Sequence, residues 1–75
     1  MNILEKLELS TILELLSEQE SDAVVMWYVQ DYSLKEIADL LNEKYELTGA
    51  ESLKSRKVRL IIAKSMEKLR ENLKD

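Results

Sequence analysis

The chain has 75 residues, with 11 basic and 15 acidic side chains, a net charge of −4, and neither cysteine nor histidine. That length allows one domain with a small core, and the missing cysteine excludes a disulfide framework and a thiolate metal site. The missing histidine removes the commonest general base and the commonest metal ligand, and no apolar run approaches the roughly 20 residues of a membrane span. The expectation is a soluble, cytoplasmic protein without signal peptide, membrane association, metal, cofactor or catalytic residues.

Proline is absent and glycine occurs once, as Gly49, so helix is expected almost throughout. Ser17 with Glu20, Ser33 with Glu36, and Thr48 with Glu51 each place a hydroxyl three residues before a glutamate. In this capping box the hydroxyl accepts from a free first-turn amide and the carboxylate reaches back to the cap amide. Together with the apolar periodicity, the boxes predict four helices, over 2–16, 18–31, 33–45 and 49–73.

The first predicted helix carries a broad apolar stripe, Ile3, Leu4, Leu7, Ile12, Leu15 and Leu16, widened by Leu9 and Leu13. Such a helix packs on its own core or on a partner. The carboxylates Glu5, Glu8, Glu14, Glu18, Glu20 and Asp22 read as a solvated or partner-facing surface. Acid–base catalysis by two of them would need a cleft that helices this short rarely form.

In the second helix Ala23, Val24, Met26, Trp27 and Val29 are expected to face inward. Trp27, Tyr28 and Tyr32 could stack single-stranded bases, but their acidic neighbours Asp22 and Asp31 favour a place in the core, with Tyr45 nearby. Asp31-Tyr32 makes a tight corner into the third helix, whose inward residues are Leu34, Ile37, Ala38, Leu40 and Leu41. At its start Lys35 and the free amides could hold a phosphate, or Ser33 could simply cap. The following turn contains Gly49, read as the only residue free to adopt positive φ.

The fourth helix turns Leu53, Val58, Ile61, Ile62, Met66, Leu69 and Leu73 inward and leaves Leu60 off the stripe. The first helix with Leu60, Ile61, Met66 and Leu73 offers more apolar surface than one small core covers, so a homodimer or partner seam is a further expectation.

Charge is unevenly distributed. Residues 1–32 hold seven acidic side chains and one basic, a net of −6, whereas residues 33–75 hold ten basic and eight acidic, a net of +2. Within 53–64 there are five basic side chains and no acidic one. One end should repel a phosphate backbone and the other attract it. On a helix, Lys54 with Lys57 and Ser55 with Arg59 share neighbouring exposed faces, with Arg56 between them. Arginine and lysine can donate to guanine or neutralise phosphate, and serine can bond either. The plain alternative is a solvated helix face.

Several segments occur in the order seen in region four of bacterial sigma factors. They are Leu16-Ser17-Glu18-Gln19-Glu20, Val24-Val25-Met26-Trp27-Tyr28, Tyr32-Ser33-Leu34-Lys35-Glu36-Ile37-Ala38, Leu53-Lys54-Ser55-Arg56 and Lys68-Leu69-Arg70-Glu71. The resemblance spans residues 15–72. It implies a helix-turn-helix that reads the −35 promoter element and docks on the flap of RNA polymerase. Two features depart from the family. The stretch from Asn42 to Ser52 is about five residues longer than the short turn usual between two such helices. No segment resembles region two, so the likeness is to a free-standing region four, as in small phage or bacterial regulators.

The expected architecture is therefore an all-α, small four-helix domain with a helix-turn-helix of the sigma region-four type. Residues 1–16 would brace it or bind a partner, and residues 17–75 would form the module. The expected function is non-enzymatic transcription regulation, with Lys54, Ser55, Arg56, Lys57 and Arg59 on double-stranded DNA, Lys35 on a phosphate, and RNA polymerase as a second partner. The alternative is an adaptor, anti-sigma or co-activator protein that contacts polymerase or a sigma factor through Glu5, Glu8 and Leu60 with little DNA affinity. The net charge of −4 favours the alternative, because phosphate neutralisation drives non-specific DNA binding.

Overall fold

The computed structural model describes residues 14–72. Among them are three α-helices and no strand: α1 (Glu18–Tyr28), α2 (Leu34–Lys44) and α3 (Ser55–Glu71), with a 3-10 turn at Gly49–Glu51. The expected count of four is three among these residues. The helix predicted over 2–16 lies outside them except at its end, where Glu14 and Leu15 are helical.

Two of the three predicted capping boxes form. The Ser17 amide donates to Glu20 Oε1 at 3.0 Å while Ser17 Oγ accepts from the Glu20 amide at 3.2 Å. Ser33 and Glu36 repeat the exchange, both bonds at 3.1 Å. Each box satisfies two first-turn donors that would otherwise need water.

The third box does not form. Thr48 makes no side-chain cap bond, and Gly49–Glu51 is a single 3-10 turn. The chain then runs extended to Lys54 before α3 begins. Asn42 explains the delay. Its side-chain amide donates to the Leu53 carbonyl at 2.9 Å, and its Oδ1 accepts from the Leu53 amide at 2.6 Å. With both backbone groups of Leu53 engaged by a side chain, the residue stays extended and drops its own side chain into the core.

Positive φ is not confined to Gly49 (58°): Asp31 (57°) and Glu46 (52°) also adopt it. Glu46 ends α2 in a Schellman motif, in which the Leu47 amide donates to the Asn42 carbonyl at 2.9 Å and the Glu46 amide to the Glu43 carbonyl at 3.3 Å. Asp31 closes α1 after a widened last turn, with the Tyr32 amide on the Met26 carbonyl at 2.9 Å. Helix ends impose the left-handed conformation here whatever the residue, at a cost of about 1–2 kcal/mol for a non-glycine.

The core is Leu16, Ala23 and Val24, then Ile37, Ala38 and Leu41, then Leu53, Val58, Ile62, Met66 and Leu69. Helix α3 packs against both α1 and α2, and α1 against α2. Leu40, Trp27 and Val29, expected inside, are exposed. On α2 the buried stripe runs through residues 37, 38 and 41 and leaves 40 beside it, and Val29 lies past the end of α1. Met66 is buried, so it belongs to the core and not to an association seam. Leu73 of that seam lies outside the described residues.

Two ion pairs tie the helices together. Asp22 of α1 accepts from Lys44 Nζ at 2.7 Å and from the Tyr45 hydroxyl at 2.6 Å. Glu20 accepts from Lys68 Nζ at 3.0 and 2.9 Å on its two oxygens, and Ser65 Oγ lies 3.5 Å from it. These two carboxylates therefore brace the fold, contrary to the solvated role expected of them. Burial pushes the Glu20 carboxyl up, but the bonds from Lys68 and from Ser17 outweigh it and hold the carboxyl below the ordinary glutamate value. Burial and then Asp22 push the Tyr45 phenol up, so it stays a neutral donor.

Two outcomes follow. Asn42→Ala leaves the amide and carbonyl of Leu53 without their partner and should cost about 1–3 kcal/mol, read as a lower urea midpoint with an unchanged denaturant slope. Because the folded state depresses the Glu20 pKa, its contribution is complete above the ordinary glutamate value of about 4.3 and is lost as pH falls through the lower folded value. Glu20→Gln should lower stability near neutrality and flatten the loss below that pH, measured by thermal melts across pH.

Candidate nucleic-acid interface

The candidate residues separate into two surfaces of α3. Lys54 is the N-cap, in extended conformation and without a side-chain cap bond, and Ser55, Arg56 and Lys57 form the first turn. Lys54, Arg56 and Lys57 are exposed, Ser55 is half-buried, and no acidic residue occupies this turn. The three cations line one shallow hollow together with Leu60, beside Ala50, Ser52, Leu53 and the carboxylate of Glu51, which makes no ion pair with them. Leu60, expected off the apolar stripe, is 51% exposed.

Arg59 sits apart from that cluster. It lines an open groove with Trp27 and Tyr28 of α1, Leu34 of α2, and Met66 and Arg70 of α3. Leu34 precedes Lys35, so the groove puts the start of α2 on the same side of the domain as Arg59. Lys35 itself is exposed. Next to it, hydrogen bonds from the Ser33 amide and hydroxyl hold the Glu36 carboxyl below the ordinary glutamate range, so the cap of α2 is anionic.

Trp27 and Tyr28 are 37% and 38% exposed and Tyr32 is 37% exposed, against the expectation of core packing. All three line a second hollow with Asp31, Ser33 and Glu36. Sequence reasoning missed this aromatic surface because helical spacing alone puts Trp27 beside the apolar stripe of α1, whereas α3 leaves a groove there. It also missed Arg70 as the partner of Arg59 across that groove. The signal was the separation of 11 residues, close to three turns, which returns two side chains to one side of a helix.

Electrostatically the two halves of the chain are less opposed than their net charges suggest. Glu20 and Asp22 are matched by Lys68 and Lys44. Among the described residues none of Lys54, Arg56, Lys57 and Arg59 takes part in an ion pair. Glu5 and Glu8, expected to bind a partner, lie outside the described residues. No described helix is long and apolar enough to cross a membrane.

Comparison with known proteins agrees with this helical layout. The family model "Sigma-70, region 4" matches residues 6–46, more than half of the chain. The matched residues include α1 and α2 and stop where the long connection begins. No curated protein and no solved structure matches the chain. With its capped helix pair in this order and that match, the chain belongs to the sigma-70 region 4 family.

Proposed function

We propose that this chain is a non-enzymatic transcription regulator that binds promoter DNA through the basic start of α3 and also contacts RNA polymerase. Lys54, Ser55, Arg56 and Lys57 approach the major groove, Arg59 neutralises phosphate from the adjoining groove, and Lys35 holds a phosphate at the start of α2.

One observation carries the reading. The amino end of a helix is the positive end of its dipole and favours Asp or Glu, yet α3 opens with Lys54, Arg56 and Lys57 and no acid. Each cation there opposes the dipole by roughly 0.3–1 kcal/mol. Among the described residues none of them is in an ion pair, and Glu51 is the one acid in their hollow. Local rules are broken in this way mainly at functional sites. A phosphate backbone reverses the conflict, since it is attracted by the cations and by the dipole alike.

A second observation supports the polymerase half of the proposal, and it also supports the alternative of an adaptor acting without DNA. The groove of Trp27, Tyr28 and Leu34 has arginines at positions 59 and 70. The apolar part of this groove suits a protein partner, and Arg59 alone of its residues is assigned to phosphate.

Arg56→Ala and Lys57→Ala should each weaken DNA binding and reduce the salt slope by about one while leaving the fold intact. Lys57→Glu should go further and split the two properties. Removing a dipole conflict should raise stability by a few tenths of a kcal/mol or more, while DNA binding collapses. Duplex binding at two salt concentrations, run beside binding to purified RNA polymerase with and without sigma factor, checks this. DNA affinity that survives Lys57→Glu would remove this face from the interface, and polymerase binding without any DNA affinity would establish the adaptor.

A further inference from the structure

We propose that Leu60 is a specificity-determining residue of α3 that receives the C5-methyl group of a thymine in the DNA site. The inference rests on the DNA-binding reading above and carries it from phosphate neutralisation to base recognition.

Leu60 is a large aliphatic side chain left 51% exposed on a helix whose buried residues are Val58, Ile62, Ser65, Met66 and Leu69. Successive helical residues turn by about 100°, which places residue 60 nearly opposite the middle of that buried stripe. Side chains on a helix lean toward its amino end, so Leu60 covers the turn that carries Arg56 and Lys57. The hollow that Leu60 shares with Lys54, Arg56 and Lys57 is the direct sign of this. Lys64, exposed one turn further on, lies on the other side of Leu60. An isobutyl group thus sits among four cations, Lys54, Arg56, Lys57 and Lys64, with Glu51 the one acid lining the same hollow.

What such a group can recognise is narrow. It neither donates nor accepts a hydrogen bond, so phosphate and sugar oxygens offer it nothing. In the major groove every base pair presents donors and acceptors, but only thymine presents an apolar group. Leucine set against guanine or adenine would leave base acceptors without water and without a partner. Set against thymine, it buries a methyl while Arg56, Lys57 and Lys64 reach the phosphates around it. A protein seam centred on Leu60 is less favourable. It would bring the surrounding cations against an apolar partner, and each would need a matching carboxylate. DNA supplies the counter-charge and the methyl in one surface.

The test uses the full chain. Selection from a randomised duplex pool identifies a preferred site, and that duplex is remade with deoxyuridine at each thymine in turn, a change that removes only the methyl. At one thymine, or two adjacent ones, the change should weaken wild-type binding about three- to fivefold, the worth of one buried methyl. The same change should have no effect on Leu60→Ala, and Leu60→Met, which keeps an apolar tip, should retain the dependence. Circular dichroism and melting confirm that the variants fold, as substitution of an exposed side chain permits. Equal deoxyuridine sensitivity in wild type and Leu60→Ala, or no sensitive thymine, overturns the role of Leu60 while leaving DNA binding in place. Absence of salt-sensitive binding of wild type to any duplex in the pool overturns both readings together.

Discussion

The paired hydrogen bonds between the Asn42 side chain and the backbone of Leu53 are the constraint on which the placement of α3 depends. The connection between α2 and α3 is long for a helix-turn-helix, and a long connection leaves the following helix free in direction. Asn42, in the last two turns of α2, removes that freedom by acting as a one-residue strand partner for Leu53. Leu53 is buried, so its side chain anchors the same point that its backbone fixes. Residue 54 therefore leaves a defined position, and α3 starts there. The Schellman motif at Glu46 turns the chain back toward this anchor.

Two acids of the first half are paired with lysines of the second, and Lys54, Arg56, Lys57 and Arg59 are left outside the ion pairs of the described residues. The Glu20–Lys68 and Asp22–Lys44 pairs join α1 to the far ends of α3 and α2. Both bridge elements distant in sequence, and both acids belong to the half of the chain with net charge −6. The cations they take are Lys44 and Lys68, neither of which lies in the basic run. The overall charge of −4 is thus a poor guide to what a ligand at the start of α3 meets. Within a Debye length of about 10 Å, a phosphate there meets local charge, and the local charge is positive.

Much of this was legible in the sequence because local rules and the fold agree there. The boxes at Ser17 and Ser33 mark two helix starts that packing also wants, and the periodicity of residues 37, 38, 41, 58, 62 and 69 picks the core. The box at Thr48 has the same letters and fails, since a long-range bond from Asn42 holds Leu53 extended where a helix would have run. Nothing local to Thr48 carries that information. Trp27 and Tyr28 were misplaced for a related reason. Periodicity tells which side of α1 is apolar, but whether α3 covers the end of that side depends on how the helices cross. The basic cluster was legible as charge, whereas its division into one surface at Arg56 and another at Arg59 required the groove to be seen.

The family match and the basic surface occupy different parts of the chain, and that separation bears on how function is divided within it. Residues 6–46 carry the likeness to sigma-70 region 4, and they include the scaffold: two capped helices and the corner at Asp31. Every residue of the cationic hollow, and Leu60 within it, lies beyond Glu46. A scaffold positions a reading helix, but the side chains on that helix decide which bases are accepted. The scaffold is thus a reason to expect the family's mode of action, while the proposed DNA-contacting residues of α3 all lie in the unmatched half. An exposed leucine among lysines and arginines is a concrete instance. In the proposed complex it adds nothing to phosphate attraction, and by burying a thymine methyl it favours one base pair over the others.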